Sequence, residues 1–411
     1  YAFSAARHYD MGDTSLPFEL LNMIHPDRLS EIDTYGTWNV ALRISTSIQA
    51  IATMDPHRAI ARAEELEIVR RMAVDPPVVF RTFPDDDDPA VLTIALVSCA
   101  RVPWDSIQPA WRAIDADRPD VVLWLGDNGY LEHADSTSPA DYSDPALMER
   151  RYAEIKGLAS LQPLLRHAPH YAIWDDRDYG WSDSDRLFPL REEIGRIFER
   201  YWANGAYGGP GLDGIWSSFE MGDVEVFLTD DRFWRDPDSL PDSPSKTVLG
   251  ATQKAWLKEG LEDSDARVKI VAVGHQVLAD YHEWESYAMF AYERQELIDW
   301  IRDQRIEGVL FVSGDRHLSE LMRWEPDGLY PLYEFTASPV ANRFFQTGLE
   351  LPNPIRVGGY GASPNYGLVT IDTTTIRTSG LGYREPNDVD REWRVGHAEV
   401  IDRLAGAGAA V

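Results

Sequence analysis

From Leu92 onward the chain alternates two hydrophobic patterns. Short, mainly apolar runs of strand type recur at 92–97, 121–125, 170–174, 224–228, 268–273 and 309–312. Their length suits strands, and the lack of polar alternation predicts burial on both faces. Between them apolar residues return at helical spacing. Tyr152, Ile155, Leu158, Leu161 and Leu165 make one stripe, and Ile194, Ile197, Phe198, Tyr201 and Trp202 make another. Trp256, Leu257 and Leu261, then Leu297, Ile298 and Ile301, continue the rhythm. Buried strands alternating with amphipathic helices predict a layered α/β domain. After Tyr330 the pattern turns β-rich, with strands expected at 332–336, 367–372 and 375–378.

Residues 1–88 do not share this rhythm. Ile60, Ala63, Leu66, Ile68 and Val69 form an apolar stripe over 57–72, predicting an amphipathic helix that Pro76-Pro77 ends. Asp85 to Asp88 followed by Pro89 reads as an exposed loop. The expectation is a helical N-terminal extension, 1–88, packed on a main domain, 89–411. The first residues, Tyr1-Ala2-Phe3-Ser4, contain neither Met nor an apolar signal segment. No apolar run approaches the ~20 residues that span a bilayer.

Composition narrows the function more than the fold. Hydrophobic residues make up 44% of the chain and charged residues 26%, which suits a globular protein and not a disordered one. The formal charge is −29, with 39 Lys and Arg against 68 Asp and Glu. No basic patch offsets it, so neither nucleic acid nor an anionic membrane surface is an expected partner. A phosphorylated substrate would have to meet a local positive centre, either bound metal or clustered Arg. Cys99 is the only cysteine, which excludes an intrachain disulfide. Oligomeric state is not set by the sequence.

The residues that follow the predicted strands carry the chemistry. Val97 runs into Ser98-Cys99, and Leu125 into Gly126-Asp127-Asn128-Gly129-Tyr130. Trp174 runs into Asp175-Asp176-Arg177-Asp178, and Leu228 into Thr229-Asp230-Asp231-Arg232. Val273 leads to Gly274-His275-Gln276, and Val312 to Ser313-Gly314-Asp315-Arg316-His317. In layered α/β proteins ligands bind at the carboxyl ends of the strands. One Asp there usually caps a helix or makes a turn. Several carboxylates at one edge would raise each other's pKa unless a cation neutralised them. The mixed O, N and S donors suit a site of one or two metals, hard cations or iron rather than structural zinc. Arg232 and Arg316 could clamp phosphoryl oxygens.

These motifs resemble the PhoD-like alkaline phosphatases and phosphodiesterases of the metallophosphoesterase superfamily. The resemblance runs from about Leu92 to Asp372. It also includes the run Leu249 to Leu257 (LGATQKAWL), Tyr330-Pro331-Leu332-Tyr333-Glu334 and Asn365-Tyr366-Gly367. It implies a four-layer α/β/β/α sandwich that hydrolyses phosphomonoesters or phosphodiesters of small molecules with metal-activated water. The implied cofactors are two or three metal ions, commonly iron with calcium, while zinc, manganese or magnesium would also suit. Carried over, Cys99, Asp127 and Tyr130 are ligands of a first metal, with Asp127 bridging to a second that Asp176 and Asp315 complete. His317 lies in or beside that shell, His275 is a further ligand candidate, and Arg232 is the phosphate binder. The resemblance also implies an exported protein.

The departures from the family pattern concentrate near the second metal. Arg177 stands where relatives carry a His that serves as acid or transition-state donor. Trp181-Ser182-Asp183 replaces a stretch with an Asn ligand, and Leu318 replaces a second His. Arg can stabilise negative charge but cannot give up a proton near neutral pH. Arg177 either pairs with Asp175 or Asp178 or meets the phosphate. Cys99 is either a ligand or a buried small hydrophobe. The alternatives to a hydrolase are a repurposed member of the same fold, which binds a ligand or acts on a non-phosphate substrate, and an acidic calcium-binding structural protein.

Overall fold

A computed structural model describes residues 83–84, 90–102, 105, 107–130, 144–209, 214–282, 284–372 and 377–383. The expected helix at 57–72 and the Asp85–Asp88 loop lie outside these. Two sheets form the body. In the first, β1 (Val91–Val97), β2 (Val121–Leu125) and β3 (His170–Ile173) run parallel. Here β11 (Gly367–Asp372) joins β1 antiparallel and β12 (Arg377–Tyr383) closes the edge, giving the order β12-β11-β1-β2-β3. In the second, β5 (Val224–Leu228), β6 (Val268–Val273), β7 (Val309–Ser313) and β9 (Leu332–Thr336) run parallel. They are flanked by antiparallel β4 (Ser217–Met221), β8 (Ser319–Trp324) and β10 (Arg356–Tyr360), in the order β10-β8-β9-β7-β6-β5-β4.

Side-chain alternation shows how the layers stack. In β6, Val268, Ile270 and Ala272 belong to the core that also holds Ile94, Leu96 and Leu123 of the first sheet. Their neighbours Val271 and Val273 pack instead with Leu257, Leu261, Leu297 and Ile301. Those residues lie on helices α6 (Gly250–Asp263) and α7 (Ala291–Asp303) in our chain-order numbering. Helices α1 (Ala110–Asp117), α2 (Pro145–Lys156), α3 (Gln162–His167) and α5 (Arg191–Tyr201) pack with the first sheet, where Trp111 stacks on Trp124 at 4.7 Å. A strand buried on both faces cannot show polar alternation, as the apolar runs predicted. The result is a mixed α/β protein of two facing sheets with helices outside.

The differences from expectation have local causes. The stripe from Tyr152 to Leu165 reads as one helix, but the chain turns at Gly157 into separate α2 and α3 with Leu158 and Leu161 still buried. Of the expected strand at 375–378, residues 377–378 lie in β12 and 375–376 lie outside the described residues. Strands β4, β8 and β10 carry SSFEM, SELMRW and RVGGY, too polar or glycine-rich for an apolar-run reading. Helix α1 shows only Ala110, Trp111 and Ile114 on its buried face. Among the described residues no helix is long and apolar enough to cross a membrane.

Contact between the second sheet and α6 is tight enough to test. A Cβ placed on Gly260 would stand 2.6 Å from Cε1 of Phe227, whose buried ring also meets Trp256 edge-on at 5.9 Å. Ala is favoured over Gly in a helix by about 1 kcal/mol, whereas overpacking a fixed core costs about 1–3 kcal/mol. Gly260→Ala is therefore expected to lower the denaturant midpoint. A gain in stability would show that Phe227 is free to yield.

Candidate active site

Because the parallel strands of each sheet share a direction, their carboxyl ends converge. Close approach of the loops depends on glycine. Gly126 has φ +92°, and a Cβ there would lie 2.5 Å from Cβ of Asp175. At Gly274 it would lie 2.6 Å from Oδ2 of Asp231. Hydrogen bonds then lock neighbouring loops together. The Asn128 amide donates to both oxygens of Asp178 at 2.8 and 2.9 Å, and its side chain donates to Ile173 O at 2.7 Å. Asp230 accepts from Trp174 Nε1 at 2.7 Å and from the amides of Ile215, Arg232 and Phe233 at 2.9, 3.0 and 2.9 Å. Asp178 and Asp230 are thus consumed by the scaffold. Other carboxylates remain for chemistry.

Donor atoms of Cys99, Asp127 and His317 lie within 4.8 Å of one another, and so do those of Asp127, Asp175 and Asp176. Asp127 is common to both sets. The Tyr130 hydroxyl lies 3.3 Å from Nε2 of His317 and accepts from Asn342 Nδ2 at 2.6 Å. Cys99 Sγ is 3.7 Å from Oδ2 of Asp127 and accepts from the Ser338 hydroxyl at 3.1 Å. Asp315 adjoins through its carbonyl, 3.7 Å from the same sulfur, but its carboxylate belongs to none of these sets. A third set joins Asp175, Asp231 and His275, and a fourth joins Asp176, Asp183 and Glu285. The His275 ring is already engaged, with Nδ1 2.5 Å from Asp231 and Nε2 3.4 Å from Nη1 of Arg235.

The arginines are placed unequally. Arg232, expected on the substrate phosphate, is fully buried. Its Nε donates to Asp175 at 2.7 Å, and its other nitrogens meet Asp175, Glu285 and the Ser184 carbonyl. It is an internal counter-ion. Arg177 pairs with neither Asp175 nor Asp178. Its backbone N–H donates to Asp127 at 3.2 Å, and its guanidinium reaches the Ser182 hydroxyl at 3.2 Å and Asp176 at 3.6 Å. Arg316 is buried beside Asp315, with Nη1 4.0 Å from the carboxylate.

Burial dominates the electrostatics. It pushes the Asp127 carboxyl well above the usual range, reinforced by the charges of Asp176 and Asp178. It raises Asp315 to about 7 against the pull of Arg316. The Cys99 thiol is pushed up by burial and by Asp127. His317 is pushed down to about 4 by burial and then by the positive charge of Arg177, Arg316 and Arg101, so its ring is neutral. Without a cation the cluster holds protons.

The donor set fits metal ions. Oδ2 of Asp175 and Oδ1 of Asp231 are buried and accept no hydrogen bond. Buried oxyanion oxygens without a donor are rare and costly, and a bound cation would satisfy them. A thiol, a phenol, carboxylates and a neutral imidazole match a mixed hard and borderline site. Sequence reasoning had passed over Asp175 and Asp231, although each is the first or second member of an Asp-Asp pair already singled out. Glu285 and Asn342 follow no apolar strand, whereas Ser338 stands two residues after the strand expected at 332–336, where its motif carried no ionisable residue to mark it.

Two facing sheets with these donors at their carboxyl ends define the metallophosphoesterase class. The chain belongs to the PhoD-like phosphatase family, whose family model matches residues 94–372. It is 21% identical over 316 residues to alkaline phosphatase D of Bacillus subtilis (strain 168), covering 66% of this chain and 52% of that protein. It therefore spans about half the length of that relative. A solved structure of PhoD superposes with TM-score 0.58 at 18% identity, covering 71% of this chain and 66% of that one. Purple acid phosphatase PPD1 from yellow lupin (Lupinus luteus) gives 0.53 at 11% identity, covering 75% and 54%. At such identities the two structures show the fold alone. The family implies divalent metal ions.

Protons held by Asp127, Asp315 and Cys99 must leave when a cation binds, whereas His317 is already neutral. Metal binding at pH 7 is therefore expected to release protons, and apparent affinity to rise with pH by about tenfold per unit for each proton released. Calorimetry with Mn²⁺ in buffers of different ionisation enthalpy would measure this. An affinity independent of pH would mean that the cluster is already ionised.

Proposed function

We propose that the protein is a metal-dependent hydrolase of phosphoesters of small molecules. The observation that carries this reading is the sharing of Asp127 between the Cys99/His317 donor set and the Asp175/Asp176 set. One carboxylate common to two donor sets suits a pair of metals held close together. Cys99, Tyr130, His317 and Asp127 would hold one ion, and Asp127, Asp175 and Asp176 the other, with the Asp315 carboxylate outside both sets. Bound metal would supply Lewis acidity toward a phosphoryl oxygen and make water acidic enough to act as a nucleophile at neutral pH.

The remaining steps belong to the chain's own groups. Tyr130 is oriented by Asn342, and Cys99 by Ser338. Arg177 is fixed by Ser182 and Asp176 beside Asp127, where a guanidinium can stabilise charge that grows on phosphoryl oxygens. It does not protonate a leaving group near neutral pH. The reaction is thus suited to esters whose leaving groups are acidic. The net charge of −29 is consistent with a small substrate and against a nucleic acid one.

Asp127→Asn is the central test. It is expected to reduce bound metal, read by elemental analysis, and to reduce turnover of p-nitrophenyl phosphate by on the order of 10²-fold or more. Unchanged metal content and turnover would remove the bridging role.

Arg177→His restores the acid found in relatives. Activity on alkyl phosphates should then rise relative to aryl phosphates, since general acid catalysis is typically worth about 10²–10⁴-fold. An unchanged alkyl-to-aryl ratio at full metal occupancy would show that the leaving-group proton does not limit this enzyme.

A further inference from the structure

Among the cations around the site, Arg232 has spent its nitrogens on Asp175, Glu285 and Ser184. Arg177 is engaged with Ser182 and Asp176. Arg316 differs. Its side chain is only 6% exposed, yet Nε and Nη2 are buried without any hydrogen-bond partner. Among the described residues only Nη1 approaches an anion, at 4.0 Å from Asp315. A buried guanidinium with two empty nitrogens is unfavourable unless something absent from the chain itself satisfies them.

The empty pair is chemically specific. Nε and Nη2 form the side-on edge of a guanidinium, which places two parallel N–H groups against the two oxygens of a phosphoryl or carboxyl group. That edge is distinct from Nη1, the nitrogen turned toward Asp315. An oxyanion on the fork is therefore a different group from one that a cation held by Asp127 would engage. Arg316 stands between Asp315 and His317 in the chain, and its Nη1 is 4.0 Å from the Asp315 carboxylate, so the fork adjoins the donor cluster. The fork is also held in place. Trp284 lies over the guanidinium carbon, 5.1 Å from carbon to ring centroid, and is itself braced by Phe345 edge-on at 5.7 Å and by His282 at 5.7 Å. Trp284 is itself 48% exposed, so the fork lies one aromatic ring below the surface.

We propose that the Nε–Nη2 edge of Arg316, under Trp284, receives a second oxyanion of the substrate. This deepens the phosphoester-hydrolase reading above and rests on it. The preferred substrate is a phosphoester that carries another phosphoryl or carboxyl group within a few bonds of the reacting phosphorus, a diphosphate being the smallest example. Arg316 is the specificity-determining residue, and Trp284 is both its support and its cover.

Binding tests this without turnover. The full chain, loaded with Mn²⁺ and freed of excess metal, is titrated calorimetrically with methylenediphosphonate and with methylphosphonate. Wild type should bind the diphosphonate at least about tenfold more tightly. Arg316→Lys keeps the charge and removes the fork, so it should lose most of that preference. Equal affinities in wild type, no binding of either ligand, or a preference that Arg316→Lys retains would overturn the proposal. Should Arg316→Lys fail to fold, Trp284→Phe at a half-exposed position decides. The diphosphonate should change the tryptophan fluorescence of wild type but not of this variant, and an identical response in both would overturn the proposal. Hydrolysis of p-nitrophenyl phosphate by wild type is followed in parallel. Its absence counts against the hydrolase reading, whereas the phosphonate comparison addresses the fork alone.

Discussion

Buried negative charge is the constraint on which the rest of this site depends. An ionised carboxylate removed from water costs several kcal/mol unless it is paired and hydrogen-bonded. This protein gathers many of them where its two sheets end. It neutralises them in three ways. Asp178 and Asp230 are satisfied by backbone amides and the Trp174 indole. Glu285 is held down to about 2 by Arg232 and Arg235 against the effect of burial. Asp127 and the unsatisfied oxygen of Asp175 have no such internal solution, and Oδ1 of Asp231 has only Nε of Arg232 at 3.7 Å. The last group is where an external cation is needed, and the first two keep it from moving.

The rigidity extends below the donors. Glu334 on β9 accepts from the amides of Val277 and Leu278 at 2.9 and 2.6 Å and from the Ser313 hydroxyl at 2.7 Å. It thereby ties the loop after β6 to the end of β7. Gln276 donates to Glu320 at 2.7 Å and to Thr336 at 2.8 Å, pinning the residue after His275. A site built on strand ends and braced by a buried polar network keeps its donors in place without bound ligand.

The sequence made the parallel strands legible because burial on both faces leaves long apolar runs, as at Val121–Leu125 and Val268–Val273. The antiparallel strands β4, β8 and β10 escaped notice because their sides are partly solvated or their residues partly polar. At the site, strand-end motifs brought out Cys99, Asp127, Tyr130 and His317, which the structure gathers together. Motif position could not reveal direction. Asp230 and Asp231 are neighbours, yet one is fixed by amides and the other by His275. Nor could it separate Arg232, enclosed among acids, from Arg316, whose nitrogens are empty. Which way a side chain points depends on the opposite sheet, and that information is nonlocal.

One backbone feature bears on how such a site changes over time. Cys99, Asp127, Tyr130, Asp315 and His317 all have positive φ, between 47 and 64°. Most side chains avoid this region, whereas Asn, Asp and His tolerate it best. The residues that tolerate the backbone therefore overlap with those that can hold a cation. Asp183, in the stretch expected to depart from the family pattern, shares this backbone at φ 56°, whereas Arg177, Ser182 and Leu318 do not. Drift is free to explore ordinary backbone and is penalised twice on the left-handed turns, once in conformation and once in charge. The backbone itself thus narrows which side chains these five positions can exchange for.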